Sequence, residues 1–423
     1  MTRRVVVTGL GVVTPLGFDL EAVWQAWLSG RSGVGIPTRV AEGRPPTRAV
    51  GEVPKADVER LIAEHGEGAD ATDLRTVFGV AAARRAMADA GLPAGTYPRA
   101  GAAVASGPGV HRLEDLVPYL DAAGAFDAKA FAAGMAGIHP GSLIRNAADR
   151  PATETARRLG LQGPVYAVTT ACAASAQAVG TSLRAIRSGK ADVMLAGGAD
   201  SMVDPLGLVF FVLLGAAATE EGEAACRPFS RRRTGIVTGE GAGIAVLEAE
   251  EHAVARGARI YAEVAGYGSS FDAYRVTAPE PQGRGAAQAM ARALADASMR
   301  PDEVDYVSAH ATGTKLNDPA EAKAIRTVFG DRAGRVAVSS GKSTMGHLLA
   351  AAGAVSFASA VLSVARDWIP PTINLDPVDP SCVLDHVTGA ARKAPVRAAL
   401  VNALAFGGHN ATIAVRKYPE ASR

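Results

Sequence analysis

Pro164-Val-Tyr-Ala-Val-Thr-Thr-Ala-Cys172-Ala-Ala-Ser-Ala-Gln-Ala-Val-Gly-Thr-Ser-Leu-Arg-Ala-Ile186 reads as a short strand that passes without a linker into an alanine-rich helix. The change of period falls at Cys172, which places that residue on a strand-to-helix turn. Strands feeding straight into helices belong to α/β folds, because parallel strands need a crossover and a helix supplies it. Working outward, Ala191-Asp-Val-Met-Leu-Ala-Gly197 and Gly241-Ala-Gly-Ile-Ala-Val-Leu-Glu248 read as further buried strands, and Arg4-Val-Val-Val-Thr-Gly9 as an opening one. A helix is expected from Asp73 to Ala90 with Gly91 as its stop, and a small-residue strand from Gly101 to Gly107. Residues 29–53 read as surface loop. The irregular stretch 108–150, with Phe126, Phe131 and Met135, reads as an insertion that lines a pocket or simply packs.

The second half repeats this grammar. Val304-Asp-Tyr-Val-Ser-Ala-His310 is a strand reaching a polar turn. Val336-Ala-Val-Ser-Ser-Gly341 leads to a helix expected over Met345–Val364, as Val165–Thr170 leads to the helix after Cys172. His409-Asn-Ala-Thr-Ile-Ala-Val-Arg416 echoes Gly243-Ile-Ala-Val-Leu-Glu248. The repeated order implies an internal duplication of two α/β units, residues 1–258 and 259–423.

A chain of 423 residues has room for both units and a substantial core. The 44 Lys+Arg against 42 Asp+Glu leave a net charge of +2, so no global field points to nucleic acid or an anionic membrane. Apolar residues at 48% and charged residues at 20% exclude a disordered chain. Cys172, Cys226 and Cys382 are too few and too scattered for a disulfide scaffold or zinc knuckle, which implies a reducing, cytoplasmic setting. The start lacks the apolar region and small-residue cleavage site of a secretory signal, and the apolar run Pro205–Ala218 is shorter than the ~20 residues that span a bilayer. No membrane insertion is expected.

A thiol at a helix N-terminus meets backbone donors that lower its pKa and can hold an oxyanion, so Cys172 is a candidate nucleophile. The same small neighbours also suit an inert buried cysteine, which is the reading for Cys226 and Cys382. His310 ends a buried strand before Ala-Thr-Gly-Thr314, and His347 follows Lys342 within Gly341-Lys-Ser-Thr-Met-Gly-His347. Imidazoles can hydrogen-bond a developing oxyanion or move a proton near neutral pH, and a lysine supplies fixed charge. Singly, each histidine equally suits a core position; two of them at the ends of elements, rather than on amphipathic faces, favour a shared site.

Other motifs fail. Gly341-Lys-Ser343 resembles the end of a phosphate-binding loop, but Val336 stands where that motif needs its first glycine. Gly239-Glu-Gly-Ala-Gly243 precedes a strand instead of opening a helix. The eight histidines form no metal-ligand spacing, so no metal is expected. Arg227 and Arg231–Arg233 form a local basic patch that is either a solvated face or a dock for an acidic partner.

Over essentially its whole length the chain resembles the condensing enzymes of fatty acid and polyketide synthesis, the β-ketoacyl-acyl carrier protein synthase II group. The resemblance is carried, in order, by Val5-Val-Val-Thr-Gly-Leu-Gly-Val-Val-Thr-Pro-Leu-Gly17, Thr170-Ala-Cys172, Ala191–Ala199, Lys342-Ser, Gly346-His-Leu-Leu349, Pro371-Thr-Ile-Asn-Leu375 and Phe406-Gly-Gly-His-Asn410. It implies the thiolase-like fold, two duplicated α/β halves in a five-layered α-β-α-β-α core, and a homodimer. It further implies Cys172 as nucleophile, His310 and His347 as the paired histidines, and Lys342 with Glu321 as the charged network behind them. Phe406 would be a gate whose backbone amide joins that of Cys172 in an oxyanion hole. Thr312 and Thr314 would hold the phosphopantetheine arm, and Arg227 and Lys315 would meet an acidic acyl carrier protein. No cofactor is bound in this reading; the arm arrives with acyl-carrier and malonyl-carrier substrates.

Departures from the family pattern are Ala311 in the turn after His310, Lys315 where proline is common, and Ala405 in the gate. In addition Phe210 and Gly215-Ala-Ala-Ala218 replace smaller and more polar residues, and Arg233-Thr-Gly-Ile236 replaces an Arg-Asp-Gly-Phe run. They leave the reaction type intact and point to a specialised fatty acid, polyketide or polyene pathway. Two alternatives stay open: the catalytic subunit of a heterodimer with a chain-length-factor partner, and a catalytically silent scaffold subunit.

Overall fold

The computed structural model describes residues 3–40, 47–67, 72–109, 116–137 and 146–419; parts of the expected 29–53 loop and 108–150 insertion lie outside the described residues. In chain order the strands are β1 Val5–Val13, β2 Ala100–Ser106, β3 Val165–Val168, β4 Val193–Asp200, β5 Gly241–Ala249, β6 Ala262–Phe271, β7 Tyr306–Ser308, β8 Ala337–Ser339, β9 Trp368–Ile369, β10 Asp385–His386, β11 Arg392–Lys393, β12 Ala398–Leu404 and β13 His409–Arg416. The strands called from sequence around Cys172 and in the second half are all present.

Strand order makes the duplication visible. The first half runs β3-β2-β4-β5-β1 and the second β8-β7-β12-β13-β6. In each, the first three strands are parallel and the next two pairings antiparallel. A short antiparallel contact of Val6 and Val7 with Glu263 and Ala262 joins the halves, and β10 extends the second along β8.

The repeat extends to single residues. The helix Leu74–Asp89 lies so close on β1 that a Cβ on Gly9 or Gly11 would collide with the Ala86 or Ala82 carbonyl. The helix Arg284–Asp296 approaches β6 in the same way, with Gly266 and Gly268 against Ala293 and Ala289. Between the sheets lie the helices Ala174–Arg187 and Ala352–Arg366, each touching strands of both halves. Outer helices, the two halves of one eleven-stranded sheet and this inner pair make five layers. The inner helices meet where Ser175 Oγ accepts the Ala354 N–H at 2.9 Å and Gly353 leaves room for Ala176.

The second inner helix begins later than its sequence suggests. Lys342–Met345 forms a separate turn, Gly346 (φ 72°) breaks it, and the long helix starts at Ala352 after a 3₁₀ turn over Leu349–Ala351. The stretch Leu349–Arg366, longer than the Pro205–Ala218 run, is apolar and long enough to cross a membrane, but 83% of it is buried as core.

Candidate active site

The residues singled out in sequence lie at the C-terminal ends of β3, β7, β8 and β12, the place where open α/β sheets leave a crevice. After β3 the chain turns through Ala171 in the left-handed region (φ 48°), and the 3₁₀ turn Ala171–Ala173 leads Cys172 into the helix Ala174–Arg187. A non-glycine residue held at positive φ is a local strain that the surrounding packing must impose. The second half repeats the device at Leu349 (φ 51°), so Ala350 stands where Cys172 stands in the first half. The duplicated scaffold therefore keeps one nucleophile.

Cys172 is 8% exposed, and the backbone N–H groups of Cys172 and Phe406 are directed at its sulfur. Burial pushes the thiol up to about 12, against the attraction of Lys342 for a thiolate. The sequence expectation of a lowered thiol pKa is thus reversed. The helix-end donors act in the expected direction, but desolvation of the anion outweighs them. Asp200, buried at the end of β4, adds to that resistance. Its own carboxyl is pushed up to about 6 by burial, and it accepts N–H bonds from Ala350 at 3.0 Å and Ser201 at 2.9 Å.

The His310 and His347 rings stand edge to face, with centroids 5.2 Å apart and planes at 83°. Both are buried, and desolvation first, then the nearby Lys342 charge, holds both well below the ordinary histidine range. They are neutral at pH 7. His347 Nδ1 accepts the Leu349 N–H at 3.3 Å, which leaves the ring proton on Nε2. That Nε2 is buried and has no partner among the described residues, so its donor is available to whatever enters the cavity.

Two carboxylates build the floor. Glu321 accepts the backbone N–H groups of His310 at 2.8 Å and Ala311 at 2.7 Å and the Asn402 amide at 3.1 Å. Burial raises its pKa, while the same donors and the Lys342 charge oppose the shift. Lys342, also fully buried, is lowered by desolvation, with Glu321 the leading opposing charge. Asp318 accepts N–H bonds from Thr312 at 3.1 Å, Gly313 at 3.2 Å and Phe229 at 2.8 Å, and so fixes the turn that carries Thr312 and Thr314. The two threonine hydroxyls lie 3.2 Å apart. A cavity of about 450 Å³ reaches from this turn to Cys172, His310, His347 and Phe406.

Residues 2–253 match the beta-ketoacyl synthase N-terminal domain and residues 261–376 its C-terminal domain. The chain belongs to the beta-ketoacyl synthase family. It is 39% identical over 421 residues to the 3-oxoacyl-(acyl-carrier-protein) synthase 2 of Synechocystis sp., covering 98% of each chain. Among solved structures, the ishigamide ketosynthase/chain length factor superposes with a TM-score of 0.88 at 38% identity, over 99% of this chain and 100% of that one. A type II PKS acyl-carrier protein complex with its ketosynthase bound to the hexaketide gives a TM-score of 0.88 at 33% identity, with the same coverage.

Within this synthase Cys172, His310, His347, Thr312, Thr314, Phe406 and Lys315 line one cavity, while Lys342 and Glu321 sit behind it. Arg227 does not join them. Its guanidinium pairs with Glu220 at 3.0 Å and bonds the Ala224 carbonyl, beside a separate cavity with Asn374 and Asp376. Of the Arg231–Arg233 patch, Arg233 is buried and structural, holding the Thr314 carbonyl at 2.8 Å and Asp379 at 2.6 Å. Ala311 is tolerated because the turn needs its left-handed residue at Gly313 (φ 77°). Likewise the gate turns at Gly407 (φ 87°) and Gly408 (φ 84°), leaving Ala405 unstrained. Sequence reasoning missed Asp200 and Asp318. The one available signal was an acidic residue just after a strand or polar turn, which is common on solvated loops.

Proposed function

We propose that this synthase is a β-ketoacyl-acyl carrier protein synthase, condensing an acyl group carried on Cys172 with malonyl-carrier protein. The observation that carries the reading is one cavity lined by two neutral imidazoles and by a buried thiol at which two backbone N–H donors are directed. In the first half-reaction the Cys172 sulfur attacks the acyl thioester of the carrier. A new S–C bond forms, the pantetheine S–C bond breaks, and the Cys172 proton leaves with the departing thiol. The Cys172 and Phe406 N–H groups hold the tetrahedral oxyanion.

In the second half-reaction malonyl-carrier loses CO₂. The electron pair of the broken C–C bond passes to the thioester, whose enolate oxygen accepts hydrogen bonds from His310 and His347. The carbanion then attacks the acyl carbonyl on Cys172, the S–C bond breaks, and the released thiolate takes up one proton. A buried cation at Lys342 stabilises negative charge in both steps and orders Glu321, which fixes His310 through its backbone. Thr312 and Thr314 offer hydroxyls to the amides of the arm, and Lys315 meets the acidic carrier at the rim.

A second chain fits at β3, the exposed edge of the first-half sheet, where Val165 and Ala167 point to solvent. We assign that edge to a second copy or to a chain-length-factor-like subunit. In either assembly the complete Cys172, His310, His347 and Lys342 set makes this chain the catalytic one, not a scaffold. We place the boundary between the duplicated units at residue 258, between β5 and β6, and the enzyme in the cytoplasm, a reading supported by three unpaired buried cysteines. The test is intact-mass analysis after incubation with acyl-carrier proteins of different chain length. One acyl adduct per chain is expected, located on Cys172 and absent from Cys172→Ala. Adduct on Cys226 or Cys382, or condensation by the alanine variant, would overturn the assignment.

A further inference from the structure

The two oxyanion donors of this site have a counterpart in the duplicated scaffold, and the counterpart is filled. In the first half the turn through Ala171 (φ 48°) presents the Cys172 N–H, and the second donor, the Phe406 N–H, comes from just beyond β12 of the other half. In the second half the turn through Leu349 (φ 51°) presents the Ala350 N–H. The Ser201 N–H stands just beyond β4, the strand that holds in the first half the place β12 holds in the second. Both of these N–H groups end on one carboxylate: Asp200 accepts Ala350 at 3.0 Å through Oδ2 and Ser201 at 2.9 Å through Oδ1. A backbone pair that receives an oxyanion on the catalytic side therefore holds a resident anion on the other.

The fit is close. A Cβ on Gly107 would meet Asp200 Oδ2 at 2.6 Å, and one on Gly198 would meet the Ala350 carbonyl at 2.9 Å, so the carboxylate and the turn both press on glycines. Ser201 is tied back through its hydroxyl to Glu240 at 2.7 Å. The Arg75 guanidinium attracts the Asp200 charge and Asp73 repels it; with its carboxyl at about 6, Asp200 is mostly ionised at pH 7. The turn it holds bears on the chemistry. Leu349 is a non-glycine residue at positive φ, a conformation that costs about 1 to 3 kcal/mol and needs support from its surroundings. Its N–H bonds His347 Nδ1 at 3.3 Å, and that bond keeps the ring proton on Nε2. We propose that Asp200 is a positioning residue: its carboxylate stands in for an oxyanion in the second half's copy of the oxyanion hole, locks the Leu349 turn and through it aims the His347 donor at the enolate. The inference rests on the condensing reading above.

The experiment measures radiolabelled CO₂ release from malonyl-carrier protein beside acylation of Cys172 from acyl-carrier protein, for wild type, Asp200→Asn and Asp200→Ala. Asparagine has the same shape, but one oxygen becomes an NH₂ that meets an N–H group, so only one of the two donors keeps an acceptor. CO₂ release should fall on the order of tenfold in Asp200→Asn and on the order of a hundredfold in Asp200→Ala, the scale of a misaimed group, with acylation slowed far less in both. Sodium formate, which returns a carboxylate to the vacated space, should restore CO₂ release in Asp200→Ala and leave wild type unchanged. Wild-type CO₂ release in Asp200→Asn, equal losses in both half-reactions, or a folded Asp200→Ala that formate does not restore overturns the role while leaving the condensing activity standing. Faster alkylation of Cys172 with CO₂ release unchanged would make Asp200 a charge acting on the thiol alone and overturn it as well. If Asp200→Ala does not fold, the isosteric Asp200→Asn decides. A wild-type enzyme that takes no acyl group and releases no CO₂ would remove both readings together.

Discussion

Replacing His347 by alanine tests the central electrostatic claim. The Nε2–H of His347 has no partner among the described residues, so none of them competes with its bond to a developing enolate oxygen. Removing one such donor costs about 3 to 4 kcal/mol of transition-state stabilisation, a hundredfold to thousandfold in rate. The loss should fall on CO₂ release from malonyl-carrier protein and spare acylation of Cys172, whose oxyanion is held by the Cys172 and Phe406 amides. His347→Gln, with an amide N–H near the Nε2 position, should recover part of the rate. The variant also frees the Leu349 N–H, worth about 1 kcal/mol of stability, so folding is checked by denaturation. The pH profile separates neutral from charged histidine. A protonated donor would give a rate that falls as pH rises through the ordinary histidine value of 6.5. Because both imidazoles are held well below that value, CO₂ release should show no such fall. Radiolabelled CO₂ measured beside intact-mass acylation decides it. A fall through pH 6.5, or full CO₂ release in His347→Ala, would refute the reasoning.

Asp318→Ala leaves the Phe229, Thr312 and Gly313 N–H groups without an acceptor and should cost at least about 3 kcal/mol in chemical denaturation, with Asp318→Asn losing less; a change below about 1 kcal/mol would contradict its organising role. Gly11→Ala and Gly268→Ala push a methyl into a helix carbonyl at equivalent places in the two halves and should destabilise by similar amounts, about 1 to 3 kcal/mol each, whereas Gly334→Ala meets open space and should be near neutral. Alkylation of Cys172 should rise about tenfold per pH unit through pH 10, because burial holds the thiol near 12, and a plateau below pH 8 would contradict a protonated resting thiol. Lys342→Met removes the charge that favours the thiolate and should slow that alkylation further.

The sequence by itself determined the elements and their repetition. Strand, turn and small-residue helix are local patterns, so the passage through Cys172, the polar turn after His310 and the echo of Gly243–Glu248 in His409–Arg416 could be read in order. The candidate nucleophile, histidines and lysine were legible because each stands at the junction of two such patterns. The helix after His347 was misplaced because alanine-rich sequence does not reveal that Leu349 must adopt positive φ before the helix can begin. Tertiary structure alone decided the rest. Whether an arginine faces a carrier or a carbonyl depends on what the chain brings to it, which separated Lys315 from Arg227 and buried Arg233. Asp200 and Asp318 became parts of the site through distant backbone N–H groups, at Ala350 for the one and Phe229 for the other. The protonation of Cys172 and of both histidines is likewise a sum over everything that excludes water around them, and no stretch of sequence holds that sum.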